Sequence, residues 1–316
     1  MGSYSPSVAE WVRKFSPTPP ALPLARYEQM AGKIRIGISG WRYAPWRGKF
    51  YPRDLRQADE LAFASNIFST IEINGTFYSL QRPASFEKWR DATPGDFVFA
   101  VKGARFITHM KRLRDVQKPL ANFFASGLLA LREKLGPVLW QLPPNFRFDP
   151  DLLERFFDQL PRTTRQAARL AKGHDNRLRG RSYLQTDAER PIRHALEIRH
   201  ESFRTPAFIK LLRKHKVGLV VADTVDWPLL MDATADFVYV RLHGSTQLYA
   251  SGYGPKALAK WAARTKAWAE GREAEGTHSG PRAPKRQRDV YVYFDNDAKV
   301  RAPFDAQALM RLIAKR

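Results

Sequence analysis

Eight short apolar runs, each closing on a polar or charged residue, are spaced along this chain: IRIGISGW (34–41), TIEINGTFY (70–78), FVFAVKG (97–103), PVLWQLP (137–143), ALEIRH (195–200), GLVVADT (218–224), FVYVRLHG (237–244) and DVYVYFDND (289–297). Helical patterns separate them. Strand-like runs alternating with helices imply parallel strands joined by crossover helices. Eight such units predict a closed (β/α)8 barrel of the TIM type, in which the C-terminal strand ends form the working face. A single domain is expected over 33–316, preceded by a Pro- and Ser-rich arm, 1–32, without core periodicity.

The 316 residues, 44% of them hydrophobic, suffice for one large core. The chain has no cysteine, which excludes disulfides, thiolate metal sites and cysteine nucleophiles. No apolar run reaches bilayer length and the first 30 residues lack a signal-peptide stretch, so a cytoplasmic protein without a membrane partner is expected. Lys and Arg outnumber Asp and Glu by 53 to 31, a net charge of +22. That field attracts anions and keeps nucleic acid open as a partner.

Helices are expected over 55–68, 83–91, 118–135, 149–160, 206–215, 255–270 and 305–314, from helical spacing, N-terminal Pro or Asp signals and the Gly136-Pro137 breaker. Two basic inserts interrupt the rhythm. Residues 162–193 hold nine Lys/Arg and three Asp/Glu, and 271–288 hold five and two. Both precede a strand, so both are expected as mobile surface on the N-terminal face. Around Trp227-Pro228 a full helix is hard to fit.

Side chains alternate faces along a strand. The phase of TIEINGTFY turns Glu72, Asn74 and Thr76 inward. The same logic turns in Ser39 and Trp41, Lys102, Gln141, Glu197 and Arg199, Asp223, and Arg241 with His243. Strand eight admits two inward sets, Tyr291/Tyr293/Asp295 or Val292/Phe294/Asn296. Branched apolar residues normally fill such an interior. Here three carboxylates (Glu72, Glu197, Asp223) face three cations (Lys102, Arg199, Arg241). They must pair with one another or with a ligand, since isolated buried charges cost several kcal/mol each.

The first loop after a strand, WRYAPWRGKFYPR (41–53), interleaves Trp41, Tyr43, Trp46, Phe50 and Tyr51 with Arg and Lys. Its aromatics either stack on a ring-shaped ligand or close a packed lid over the core. The third loop, 104–118, adds Arg105, His109, Lys111, Arg112 and Arg114. His174, His194, His215 and His278 read as surface residues, and His200 as a site residue or a loop cap. The cations compete for every carboxylate a divalent metal would need, so no metal is expected. No glycine-rich phosphate loop, HExxH or nucleophile elbow appears, and no cofactor is expected.

The motifs GISGWRYAPWRGKFYP, TIEINGTFYSL, FVFAVKGARFITH, KLGPVLWQLPPNFRFD, LEIRHESF, FVYVRLHG and VYVYFDNDA together resemble the YecE-like family, domain of unknown function 72, over 34–312. The resemblance implies a (β/α)8 barrel and carries no assigned activity. It implies polar site positions at Ser39, Trp41, Glu72, Asn74, Lys102, Gln141, Glu197, Arg199, His200, Asp223, Arg241, His243 and Asn296. The family's paired asparagines on strand eight read Asp295-Asn296 here, and its following glycine-containing stretch reads Ala298-Lys299-Val300-Arg301.

These residues support three functional expectations. The first is an acid–base enzyme, a hydrolase or isomerase, acting on an anionic, phosphorylated sugar-like or nucleotide-like small molecule. In it Glu72 and Glu197 act as acid and base, assisted by Asp223 or His243. Arg199, Arg241 and Lys102 hold the anion, with Ser39, Tyr43, Asn74, Gln141, His200 and Asn296 around it and Trp41 and Trp46 stacked on a ring. The alternatives are nucleic-acid binding or processing, and non-catalytic sensing of a metabolite.

Overall fold

The computed structural model describes residues 31–244 and 248–315. The arm, 1–32, falls almost wholly outside the described residues. Eight parallel strands close in sequence order into one barrel: β1 (Ile34–Ser39), β2 (Thr70–Ile73), β3 (Val98–Lys102), β4 (Leu135–Gln141), β5 (His194–Glu197), β6 (Gly218–Asp223), β7 (Phe237–Leu242) and β8 (Asp289–Phe294). β8 returns to β1, pairing Ile38 with Phe294. Among the described residues no helix is long and apolar enough to cross a membrane.

The helices follow their local signals. Helix Pro150–Asp158 begins with Pro at its first position, and the Asp149 carboxylate accepts from the Leu152 N–H at 3.0 Å. That satisfies one of the orphaned donors of the first turn. Pro likewise opens the helices Pro83–Asp91, Pro206–Lys214 and Pro255–Ala269. No helix bridges β6 and β7 around Trp227-Pro228.

The long helix expected over 118–135 is two pieces. Gln117–Ala125 ends at Gly127, whose φ of +122° leaves the helical region, and a 3-10 segment, Leu128–Lys134, leads into β4. A Cβ on Gly127 would stand 2.7 Å from the Pro83 Cα, so close packing on the neighbouring helix sets the break. β2 is shorter than its apolar run: it stops at Ile73, and Gly75–Tyr78 turns into helix.

The basic inserts are anchored rather than loose. The first contains helix Thr164–Ala171, capped by Thr163. Its buried face is Ala167, Ala168 and Ala171, and it packs on Gln117–Ala125. Small side chains let two backbones approach, and they carry little of the hydrophobic signal that marks a helix in sequence. The second insert is irregular, but the Asp232 carboxylate accepts from the Ser279 and Gly280 N–H groups at 2.8 and 2.9 Å. His194 is also not a surface residue. It is fully buried, accepting from Trp140 Nε1 at 3.1 Å through Nδ1 and donating from Nε2 to the Pro161 carbonyl at 2.8 Å.

Two buried layers divide the barrel. Outward strand faces and the helices form the main core. The lower interior is a separate cluster of Ala100, Leu139, Ala195, Val220, Phe237, Tyr239, Tyr291 and Tyr293. That layer selects the first inward set for β8 and supports the charged layer above it.

Candidate functional site

The charged layer is centred on Arg241, at the C-terminal end of β7, whose side chain is 1% exposed. Glu72 on β2 takes two of its N–H groups, Nε at 3.1 Å and Nη2 at 2.9 Å. Glu197 on β5 takes Nη1 at 2.7 Å, and Asp295, just past β8, takes Nη2 at 2.9 Å. The guanidinium fork suits this sharing, since its five donors lie in one plane. The remaining carboxylate lone pairs are also used. Tyr239 and Ser39 donate to Glu72 at 2.6 Å each, and Asn74 donates to Ser39 Oγ at 2.9 Å. Gln141 donates to Glu197 at 2.8 Å, and Arg199 Nε donates to the same oxygen at 2.9 Å. Arg199 also lies over the Trp227 ring, 3.7 Å from its centre. His243 Nδ1 is 2.9 Å from Asp295 Oδ2.

Burial by itself would raise the pKa values of Glu197 and Asp295, but the neighbouring cations win. Arg241 and Arg199 hold Glu197 well below the usual carboxylate range. Arg241, with His243 beside it, does the same for Asp295. Glu72 and Glu197 are 0% exposed and form a fixed ionic floor.

Above the floor a cavity of about 520 Å³ opens at the barrel mouth, lined among others by Trp41, Tyr43, Lys102, Tyr249, Asp295 and Asp297. Two carboxylates on one wall differ in proton affinity. Asp295 is held ionised, whereas burial and the Asp295 charge push Asp297 up to about 6. Burial, with Asp297 next, raises the Tyr43 hydroxyl and keeps it neutral. His109, on the loop after β3, is lowered to about 4 by burial and by Arg199 and Lys102, so its imidazole is neutral at pH 7. The backbone here is unusual. Residues Phe106–Met110 form a π-helical turn, and Tyr249 and Val300 take φ values of +60° and +59°. Strain of this kind persists only where the surroundings impose it, and it concentrates at functional sites.

Most of the expected residues meet here: Ser39, Glu72, Asn74, Gln141, Glu197, Arg199, Arg241 and His243 in the floor, and Trp41, Tyr43 and Lys102 at the cavity. Four do not. Asp223 points outward, because Val220 and Ala222 take the inward places on β6. Its Oδ2 accepts from Trp261 Nε1 of helix Pro255–Ala269 at 3.1 Å. A parallel strand is apolar on both faces, so GLVVAD carries no phase. Trp46 is fully buried, packed on Tyr43 and Phe50 as part of a lid, and presents no face for stacking. Asn296 is also 0% exposed, and donates to the Ser251 carbonyl at 3.0 Å and to Asp305 at 2.8 Å. His200 caps the turn Glu201–Phe203, accepting from the Ser202 N–H. Conversely, Asp295, Asp297, Tyr239 and Tyr249 lay outside the expected site. The alternative inward set of strand eight, Tyr291/Tyr293/Asp295, was the signal for the first of them.

A (β/α)8 barrel with a buried ionic floor beneath a polar mouth is therefore the class of this protein. The family model described as protein of unknown function DUF72 matches residues 35–316, and the chain belongs to that family. Curated relatives are the UPF0759 protein YunF of Bacillus subtilis, 30% identical over 118 residues, and the UPF0759 protein YecE of Escherichia coli, 30% identical over 129 residues. The matches cover 36% and 40% of this chain and 41% and 44% of those proteins, so the chain spans under half the length of the curated relatives it matches. A DUF72 family protein from Thermotoga maritima superposes with a TM-score of 0.65 at 22% identity, over 89% of this chain and 99% of that one. One from Enterococcus faecalis does so with 0.63 at 17% identity, over 89% and 95%. These two likenesses establish the fold.

Proposed function

We propose that this protein is an enzyme performing acid–base chemistry on a small anionic, sugar-like molecule held in the mouth cavity. One observation carries the reading: Asp295 and Asp297 line the same cavity with their proton affinities driven in opposite directions. Such a split is how a site keeps a base and an acid together near neutral pH. Asp297 is the proton donor and Asp295 the charged partner. This moves acid–base work away from Glu72 and Glu197, whose lone pairs are committed to Arg241, Arg199, Gln141, Ser39 and Tyr239. Arg42, an exposed cation on the lining of the cavity, supplies the positive charge for the anion, and Trp41 and Tyr43 supply ring edges. The test is a thermal-shift screen of sugar phosphates, nucleotides and organic acids. A ligand at 100 times its Kd stabilises by about 2.7 kcal/mol. Asp297→Asn is expected to keep the shift and lose turnover of the hit, and full turnover in that variant would refute the assignment.

Nucleic-acid binding is favoured by a separate observation. A groove of about 1080 Å³ at the N-terminal end of the barrel is lined by both basic inserts. Arg162, Arg213 and Arg288 there donate to backbone carbonyls, with no ion pair to a carboxylate among the described residues. Burial lowers Arg288, and so do Arg286 and Arg213 beside it, a repulsion that a phosphate backbone would relieve. Binding to duplex DNA that weakens steeply with salt is expected, and salt-insensitive or absent binding removes this reading.

A further inference from the structure

Among the described residues two lysines, Lys134 and Lys102, are buried, and they are bonded differently. Lys134, 6% exposed, donates to the Arg90 carbonyl at 2.6 Å, the Thr93 carbonyl at 2.7 Å and the Thr93 hydroxyl at 3.1 Å. Burial lowers the Lys134 pKa, but three acceptors meet its three N–H groups. Lys102, 8% exposed at the end of β3, accepts from the Thr76 hydroxyl through its backbone carbonyl, but its ammonium has no hydrogen bond or ion pair among the described residues. It lies 4.4 Å from the centre of the Phe77 ring and lines the mouth cavity. The carboxylates of the floor are bonded instead to Arg241 and Arg199. A buried ammonium without acceptors is costly, and losing its proton is the cheapest relief. Burial and the Arg241 charge both push Lys102 that way. A desolvated neutral amine beside another cation is an activated nucleophile toward carbonyl carbon.

We propose that Lys102 forms an imine with the carbonyl carbon of a small anionic aldehyde or ketone bound in the mouth cavity. This rests on the reading of the mouth as an enzyme site and names its substrate class. The Nζ lone pair forms the C–N bond as the carbonyl π bond breaks and its oxygen takes the Asp297 proton. The nitrogen then returns one proton to Asp297. A second donation from Asp297 expels the hydroxyl as water while the nitrogen lone pair closes the C=N bond. The sum is amine, carbonyl and Asp297 carboxylic acid giving protonated imine, water and Asp297 carboxylate. The new cation lies within the field of Asp295, and Asp297 lines the same cavity. Arg241 is fully engaged, so Arg42, an exposed cation lining the same cavity, is left to meet the substrate's anionic group.

The experiment is reductive trapping. The full chain is treated with glyoxylate and cyanoborohydride at pH 7, and carboxymethylation is mapped by peptide mass spectrometry. A lowered Lys102 pKa leaves more neutral amine at fixed pH, so Lys102 is expected to be labelled faster than exposed Lys49. Asp297→Asn should slow trapping, and Lys102→Met should abolish it at that position while keeping a folded circular-dichroism spectrum. Labelling of Lys102 no faster than Lys49 overturns the proposal. If anionic ligands still raise the Tm in that case, the enzyme reading stands and only the imine falls. If no ligand raises the Tm although Lys102 is trapped, the amine is reactive and the acid–base reading of the cavity falls.

Discussion

The two ends of the barrel store positive charge in opposite ways. At the mouth, Arg241 is bonded to Glu72, Glu197 and Asp295 and has no donor to spare for a ligand. At the base, Arg162, Arg213 and Arg288 are steered by carbonyl oxygens, which orient a guanidinium without neutralising it. The partners show that the mouth arginine is structural, holding acids in place, while the base arginines keep their charge.

The hardest way to break this comparison is to remove the central guanidinium. Arg241→Met strands three buried carboxylates, and losing one partner of a buried pair costs about 3–5 kcal/mol. The variant is expected not to fold, whereas Arg162→Met at the base should lose under about 1.5 kcal/mol in urea unfolding, the scale of an ordinary hydrogen bond. Equal midpoints for the two variants would end the distinction.

Acid provides the next largest effect. Burial lowers His194 to about 3, against 6.5 for an ordinary imidazole. Its preference for the neutral ring is fully present above pH 6.5 and is lost as pH falls toward 3, a change of about 5 kcal/mol. His194→Gln should flatten that part of the pH–stability curve, and an unchanged slope would exclude His194 as its source.

Asp297 sharpens the mouth side with the opposite sign. Its carboxyl is raised to about 6 from 3.8, so the folded state favours the protonated form. That contribution is present at low pH and lost as pH rises through 6. Asp297→Asn should therefore gain about 1 kcal/mol at pH 8, after allowing for solvent screening of a partly exposed group, and nothing at pH 3.5. Turnover that uses Asp297 as acid should decline above pH 6.

The smallest effect tests the base. Arg286→Ala with Lys216→Ala removes two exposed cations lining the groove. If both meet phosphates, the log–log salt dependence of duplex binding should become shallower by about 1.8, near 0.9 for each phosphate no longer neutralised. The same slope in Arg42→Ala, at the mouth, would stay unchanged.

The barrel itself was legible because strand number, spacing and helix starts are local signals. The floor was largely legible too: inward alternation found Glu72, Glu197, Lys102, Arg199 and Arg241. It misplaced Asp223, because GLVVAD is apolar on both faces, and it left Asp295 and Asn296 undecided on strand eight for the same reason. Helix Thr164–Ala171 was hidden by a buried face of three alanines and Thr164 among arginines. Trp46 looked like a stacking platform because an aromatic next to arginine reads the same whether it packs inward or faces solvent.

By itself the sequence determined eight strands, their order and most of the polar groups at their C-terminal ends, since a two-residue period and helix-start chemistry act within a few residues. Pairing was decided only by the tertiary structure. Which cation each carboxylate meets depends on closing β8 against β1 and on the level each side chain reaches in the barrel. That closure leaves Arg241 saturated, the Lys102 ammonium without an ion pair among the described residues and Asp297 near an ionised Asp295, because electrostatic energy depends on distances and burial that no stretch of chain contains.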